Sequence, residues 1–188
     1  MGQKINVVMA QLNFLVGDID FNTSLIIAKA KEVVQENSPD IIAYSELALT
    51  GYPPEDLLFR PSLSVRIEKA LQRIRDENLA AHLVIGYPEK VGDKLFNSLT
   101  IIKHGKQVAN YRKQHLPNYQ VFDEKRYFTE GSASANNSGV FEFKNCRIGL
   151  SLCEDIWHPE PIARAKVAGA QLLLSLNASP FHVGKTGE

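Results

Sequence analysis

An α/β fold is predicted by three features of the chain. Strands alternate with amphipathic helices in the first half, hairpin signals crowd the second, and a proline-opened helix leads into a last apolar strand. Lys4 to Leu12 reads as a strand around Val7, Val8 and Met9. Asp20 or Asn22 can cap a helix running to about Asn37, with Ile26, Ile27, Ala30, Val33 and Val34 on its apolar face. Ser38-Pro39-Asp40 stops it, and Asp40 to Tyr44 forms a short buried strand ending in Ser45-Glu46. After the Gly/Pro loop Thr50 to Pro54, Ser62 to Ala80 reads as a second helix with Val65, Ile67, Leu71 and Ile74 inward. His82 to Tyr87 is again a buried strand.

The texture then changes. Asn97 to Lys103 and Lys106 to Tyr111 flank His104-Gly105, a hairpin signal, and Val140 to Phe143 and Arg147 to Leu152 flank Lys144-Asn145-Cys146. Pro159-Glu160-Pro161 opens a helix to about Ala168, and Gln171 to Leu176 is the last strand. With no repeat, low-complexity tract or linker, residues 1–188 read as one domain whose sheet is covered by helices on at least one face. The loop from Gln114 to Asn137 is long for a compact domain, and such loops are usually functional or mobile.

Composition excludes several classes. In 188 residues, 21 Lys+Arg balance 21 Asp+Glu, so there is no electrostatic footprint for nucleic acid or an anionic membrane. The 44% hydrophobic content is too high for a disordered chain. Two cysteines make no disulfide framework and suit a reducing compartment. No apolar run approaches the ~20 residues of a membrane span. Gln11, Asn13 and Gly17 interrupt any secretory core, and Asn6 replaces the Ser or Thr of a myristoylation signal after Gly2. The Asn-x-Ser/Thr triplets at Asn22, Asn136 and Asn177 mean little without export. A cytoplasmic protein is the expectation.

Three strand ends carry a reactive side chain: Glu46 after Ile-Ile-Ala-Tyr-Ser, Lys113 after Val-Ala-Asn-Tyr-Arg, and Cys153 after Ile-Gly-Leu-Ser-Leu. In α/β architectures, sites assemble at the carboxyl ends of strands. A cysteine nucleophile needs a base and a positive group for the oxyanion it creates, and these three residues can fill the three roles. From spacing alone the plainer alternatives stand beside this one: a buried cysteine packing as a small hydrophobe, and solvated Glu and Lys.

Local sequence shifts that balance. Glu46-Leu47-Ala48-Leu49-Thr50-Gly51-Tyr52-Pro53-Pro54, Tyr111 to Tyr119 (Tyr-Arg-Lys-Gln-His-Leu-Pro-Asn-Tyr) and Gly149 to Trp157 (Gly-Leu-Ser-Leu-Cys-Glu-Asp-Ile-Trp) resemble, in order, the three motifs of the nitrilase (carbon–nitrogen hydrolase) superfamily. With Val121 to Phe128 and Leu176-Asn177-Ala178-Ser179-Pro180-Phe181-His182, they look like one branch: the glutamine amidotransferase domain at the N-terminus of glutamine-dependent NAD synthetases. The resemblance implies a nitrilase-like α-β-β-α sandwich, incomplete at its C-terminal end because such domains run well beyond this length. It implies Cys153 as nucleophile on the side-chain amide of L-glutamine, Glu46 as general base, and Lys113 with the backbone N–H after Cys153 as oxyanion donors. Glu124 matches a second glutamate that positions the lysine. Tyr52, Tyr119, Glu154, Trp157 and Ser179 match positions of the glutamine pocket.

The same branch carries a downstream synthetase domain that uses ATP, Mg and deamido-NAD. Nothing here matches it, so those cofactors are implied only for a parent enzyme, and none for these residues. A homo-oligomer is implied as well, through faces this chain only partly contains, so exposed apolar surface is expected. The alternatives are a stand-alone superfamily amidase or carbamoylase, and a catalytically silent scaffold or interaction module. Gly184-Lys185-Thr186 lacks the earlier glycine of a phosphate loop, because Ser179 stands there. Ser151 lacks the closing glycine of a serine-hydrolase elbow, Cys153 taking its place. Cys146, Cys153 and His158 lack zinc spacing, so no metal site is predicted.

Overall fold

The structure, a computed structural model, describes residues 4–132, 139–180 and 183–184. The triplet at Asn136, the end of the long loop at Asn137, Gly2, Phe181, His182 and the Lys185-Thr186 pair lie outside the described residues. Five strands form one sheet in the order β1 (Val7–Met9), β2 (Ile41–Ala43), β3 (His82–Val91), β4 (Lys94–Lys103), β5 (Lys106–Arg112). The first three run parallel, joined by helices α1 (Ile19–Asn37) and α2 (Pro61–Asp76), and the last three are antiparallel hairpins. A second sheet pairs β6 (Val140–Phe143) antiparallel with β7 (Cys146–Leu152), and β7 parallel with β8 (Leu172–Leu176) across helix α3 (Pro159–Val167).

Strand alternation explains the layering, since successive side chains point to opposite faces. Ile42, Leu83 and Ile85 join Ile26, Ala30, Ile67, Leu71 and Ile74 of the two helices in one buried cluster. Their neighbours Ile41 and Val84 turn the other way and, with Leu99, Ile101 and Tyr111, meet Ile148, Leu150, Leu152 and Leu176 of the second sheet. Buried on both faces, β2 and β3 read as continuous apolar runs. Helix α3 packs on the outer face of β7. The order helix, sheet, sheet, helix is the predicted α-β-β-α sandwich. The expected exposed apolar surface is present too, with Leu172 and Leu173 of β8 and Val167 of α3 facing outward. Among the described residues, no helix is long and apolar enough to cross a membrane.

Several local expectations need correction. Helix α1 is capped by Asp18, whose carboxylate accepts from the Phe21 N–H at 3.1 Å, rather than by Asp20 or Asn22. Asn22 is buried instead, pairing with the N–H and C=O of Leu15 and the C=O of Leu49, which ties the helix to the loop before it and to the segment after Glu46. Val65 points to solvent at 56% exposure, with Leu63, Ile67, Ala70, Leu71 and Ile74 buried. It lies two residues from Ile67, about 200° around the helix. β1 is shorter than predicted, being an edge strand paired only with β2, and Met9 is 85% exposed. The β3–β4 hairpin, turning at Gly92-Asp93, was hidden by Glu89, Lys90 and Lys94, which dilute the apolar pattern at its tip. The loop after Lys113 is pinned by a 3₁₀ helix at Glu124–Arg126 and by the Thr129 and Gly131 N–H groups, which donate to Leu95 and Lys113 carbonyls at 2.7 Å.

One glycine decides where Glu46 sits. A Cβ on Gly86 would come within 2.5 Å of Leu47 N and 2.6 Å of Ser45 O, so the turn carrying Glu46 lies directly on this bare stretch of β3. Gly86→Ala is therefore expected to lower stability by about 1–3 kcal/mol, because backbone rather than a flexible side chain must give way. Urea unfolding checks it, and a wild-type midpoint would refute the close approach.

Candidate active site

Each reactive side chain enters from a strand end. Glu46 stands three residues past the end of β2 and opens a turn over residues 46–50, in which Leu47 takes a positive φ of 49°. Lys113 follows β5 directly, its N–H bonded to the Asn97 C=O of β4 at 2.8 Å. Cys153 directly follows β7 and starts a 3₁₀ helix, Cys153–Trp157, with a φ of 40°. For a non-glycine residue this left-handed backbone is strained, and such strain gathers where a side chain must be presented at one angle.

The three converge in the interior. Glu46 and Lys113 are each 1% exposed and Glu124 is buried beside them. The Lys113 Nζ lies 2.8 Å from Glu46 Oε1, 2.8 Å from Glu124 Oε1 and 2.9 Å from Glu124 Oε2. Burial alone would push the ammonium's pKa down. The charges of Glu46 and Glu124 outweigh it and hold that pKa above its usual value. Glu124 is shifted upward by burial, opposed by Lys113 and reinforced by Glu46. Asn97, a residue the sequence reading missed, donates its Nδ2 to Glu46 Oε1 at 2.8 Å and lies 3.4 Å from Glu124 Oε2. Oε2 of Glu46, also buried, has no hydrogen-bond partner among the described residues.

Cys153 is buried next to this cluster. Its thiol is pushed up to about 11, first by burial and then by the Glu46 charge, with Lys113, the Ser179 hydroxyl and the Ala178 backbone pulling the other way. Ser179, matched above by resemblance to a pocket position, places Oγ 3.9 Å from the sulfur. Tyr52 donates to Glu124 Oε1 at 3.3 Å, and a cavity of about 230 Å³ opens beside these two. Tyr119 donates to Glu154 Oε2 at 2.9 Å, the second residue of the cysteine's 3₁₀ helix. Trp157 is 78% exposed and stands apart from the buried cluster.

Asp155 is the other residue that sequence reasoning passed over. Fully buried, it accepts from Tyr111 Oη at 2.8 Å and from the N–H groups of Gln114 and His115 at 3.0 and 2.8 Å. It thus fastens the segment after Lys113 to the segment after Cys153. An acidic residue two places from the cysteine, next to an apolar run, was the available signal.

A helix–sheet–sheet–helix sandwich with a thiol, a carboxylate and an ammonium at three neighbouring strand ends defines a class of cysteine-bearing hydrolase folds. The carbon-nitrogen hydrolase family model matches residues 6–187, and the chain belongs to that family. It is 41% identical over 181 residues to a glutamine-dependent NAD(+) synthetase of Xanthomonas campestris pv. campestris, covering 96% of this chain and 32% of that protein. A glutamine-dependent NAD(+) synthetase of Aquifex aeolicus is 40% identical over 184 residues, covering 96% and 31%. The chain thus spans about a third of the length of the curated relatives it matches. Among solved structures, a glutamine-dependent NAD+ synthetase from Acinetobacter baumannii superposes with a TM-score of 0.90 at 36% identity, over 97% of this chain and 34% of that one. An amidase from Nesterenkonia sp., 22% identical with a TM-score of 0.84 over 97% of this chain and 68% of that one, shares the fold.

Replacing Asp155 by Ala strips three donors of their acceptor. Each buried group so orphaned costs about 1–3 kcal/mol, so a large fall in the denaturation midpoint is expected. Asp155→Asn, which keeps one acceptor oxygen, should fall less. Equal midpoints for Asp155→Ala and wild type would remove its linking role.

Proposed function

We propose that these residues are the glutaminase part of a glutamine-dependent NAD synthetase, hydrolysing the side-chain amide of L-glutamine through a Cys153 thioester. What supports the reading most is the state of Glu46. One oxygen is held by Lys113 and Asn97, the other is buried with no partner among the described residues, and the Glu46 charge acts on the thiol. Glu46 Oε2 takes the thiol proton as sulfur attacks the amide carbon. The oxyanion is held by the Lys113 ammonium and the N–H of Glu154. Collapse of the adduct breaks the C–N bond, and protonated Glu46 hands its proton to the leaving nitrogen, which departs as ammonia. Water, deprotonated by Glu46, then attacks the thioester, releasing glutamate and restoring the thiol.

Lys113 has three N–H donors. If the two Glu124 oxygens share one and Glu46 Oε1 takes another, the third is left for the oxyanion. Tyr119 and Glu154, joined by their hydrogen bond, would meet the polar end of the substrate with Tyr52, Ser179 and Trp157 around it. In the longer parent protein the ammonia would pass to an ATP- and Mg-dependent synthetase domain that amidates deamido-NAD. Similarity to relatives about three times this length supports that placement. A homo-oligomer formed through the exposed apolar residues beside the second sheet, Leu172, Leu173 and Val167, belongs to the same reading.

The protein incubated with L-glutamine should release glutamate and ammonia, and a glutamyl adduct on Cys153 should be trapped by acid quench and mass spectrometry. Cys153→Ala should abolish both, and Glu46→Gln should lower kcat by about 10²–10⁴. Turnover that survives in Cys153→Ala would sink the mechanism. Hydrolysis of other amides but not glutamine would make the protein an amidase of another specificity.

The pH behaviour of the thiol gives a separate check. The Glu46 charge helps to hold Cys153 protonated, so Glu46→Gln should lower the thiol pKa and speed iodoacetamide alkylation of Cys153 at fixed pH near 9, even as turnover falls. Slower alkylation in that variant would contradict the charge coupling.

A further inference from the structure

We propose that His115, His158 and Glu160 form a site for one divalent transition cation of the zinc class, at the seam between the lysine loop and the cysteine's 3₁₀ helix. One ligand atom from each of the three lies within 4.8 Å of the other two. Their backbones are held independently of any ion. The His115 N–H donates to buried Asp155 Oδ1 at 2.8 Å, the His158 N–H to the Asp155 carbonyl at 3.3 Å, and Glu160 sits in the first turn of α3. The two histidines stand 43 positions apart, which explains why sequence spacing showed no such site.

A second observation points to a metal. His158 Nε2 lies 3.5 Å from Glu154 Oε1, and that glutamate side chain is only 13% exposed. An imidazole that gives one N–H to a carboxylate keeps its lone pair on the other nitrogen. The carboxylate–imidazole–metal arrangement is the usual outer support of a histidine ligand. Here Nε2 of His158 faces Glu154 at 3.5 Å, an ion-pair distance rather than a hydrogen bond, so Nδ1 is the nitrogen left for the cation. Two imidazoles and a carboxylate suit zinc with water in the fourth position, whereas calcium and magnesium prefer all-oxygen sites.

The two rings stack at a centroid distance of 3.9 Å and an interplanar angle of 12°. In that stack the in-plane lone pairs run side by side, so binding requires the His115 ring to rotate until both converge on the ion, His158 keeping its place against Glu154. Both histidines are only partly buried, which leaves room for the rotation.

Occupancy reaches the site through one residue. Glu154 faces His158 with Oε1 and accepts from Tyr119 with Oε2. A cation on His158 polarises its Nε2–H toward Glu154 and competes with the Tyr119 hydroxyl for that carboxylate. This consequence rests on the glutaminase reading given above, and there it predicts a zinc-dependent rise in KM for glutamine. The cation site itself does not depend on that reading.

The test starts from untagged protein carrying Cys153→Ala and Cys146→Ser, so that no thiol can take the metal. Titration with zinc chloride by calorimetry should show one equivalent bound, and cobalt chloride should give the visible absorption of a four-coordinate, thiolate-free site. Adding His115→Ala or Glu160→Gln should weaken zinc binding at least ten-fold. Glu160 is exposed, so its variant tests the site even if His115→Ala fails to fold. Zinc affinity unchanged in Glu160→Gln, or only weak multi-site binding in the starting protein, overturns the proposal. With both cysteines intact, zinc should raise KM in wild type and leave it unmoved in His115→Ala. An equal zinc effect in both overturns the coupling. Failure to hydrolyse glutamine at all would defeat the glutaminase reading and leave the metal titrations to stand on their own.

Discussion

The buried ammonium of Lys113 is the constraint around which the rest of the molecule is arranged. A charge removed from water costs several kcal/mol unless partners meet it at close range. Lys113 meets two, Glu46 and Glu124, with all three side chains almost without solvent contact. Those partners come from the turn after β2 and from a 3₁₀ helix in the long loop, so the charge can be satisfied only when parallel and antiparallel halves of the sheet are in register. Asn97 reinforces this from β4, touching both carboxylates with its amide and the lysine's own backbone with its carbonyl. A misfolded register would leave a buried charge alone, which makes the cluster selective for one arrangement as well as costly.

The same cluster sets the electrostatics of the thiol. One ammonium between two carboxylates does not neutralise them both when all are ionised. Burial, reinforced by Glu46, keeps Cys153 in its neutral form well past neutral pH, and the nearby lysine only moderates the effect. A resting thiolate is therefore not what this geometry favours. In the proposed chemistry, proton loss and attack on the amide must be coupled, with the proton moving to Glu46 Oε2, which has no partner among the described residues. The charge is then redistributed within the cluster instead of being created in it, a smaller demand on a low-dielectric interior.

Legibility in the sequence followed the strength of the local signal. Continuous apolar runs marked β2 and β3, and amphipathic spacing marked α1 and α2, because burial on one or two faces imposes those periods directly. The tip of the β3–β4 hairpin carries its charge in water and lost the pattern, while β1, at the edge, kept the apolar composition without the length. Asp18 escaped notice as the cap because Asn22, an equally good capping residue, had been recruited inward to hold Leu15 and Leu49. At the site, Glu46, Lys113 and Cys153 could be read because each stands at a strand end in a recognisable motif. Asn97 and Asp155 could not. Their importance lies in contacts 51 and 41 residues away: an acid beside an apolar run marks Asp155 as unusual without naming its partners, and Asn97 carries no mark of that kind.

Asp155 also shows why the two reactive segments behave as one body. The segment after Lys113 contains no regular secondary structure until Glu124, so its backbone N–H groups need acceptors from elsewhere. Asp155 supplies them at Gln114 and His115 from the segment following the cysteine, and Tyr111 closes the link from β5. Lys113 and Cys153 are thus held by opposite ends of a single carboxylate network that spans the two sheets. Tyr119 and His115 on the first of these segments and Glu154 and His158 on the second are therefore placed against one another by the same carboxylate.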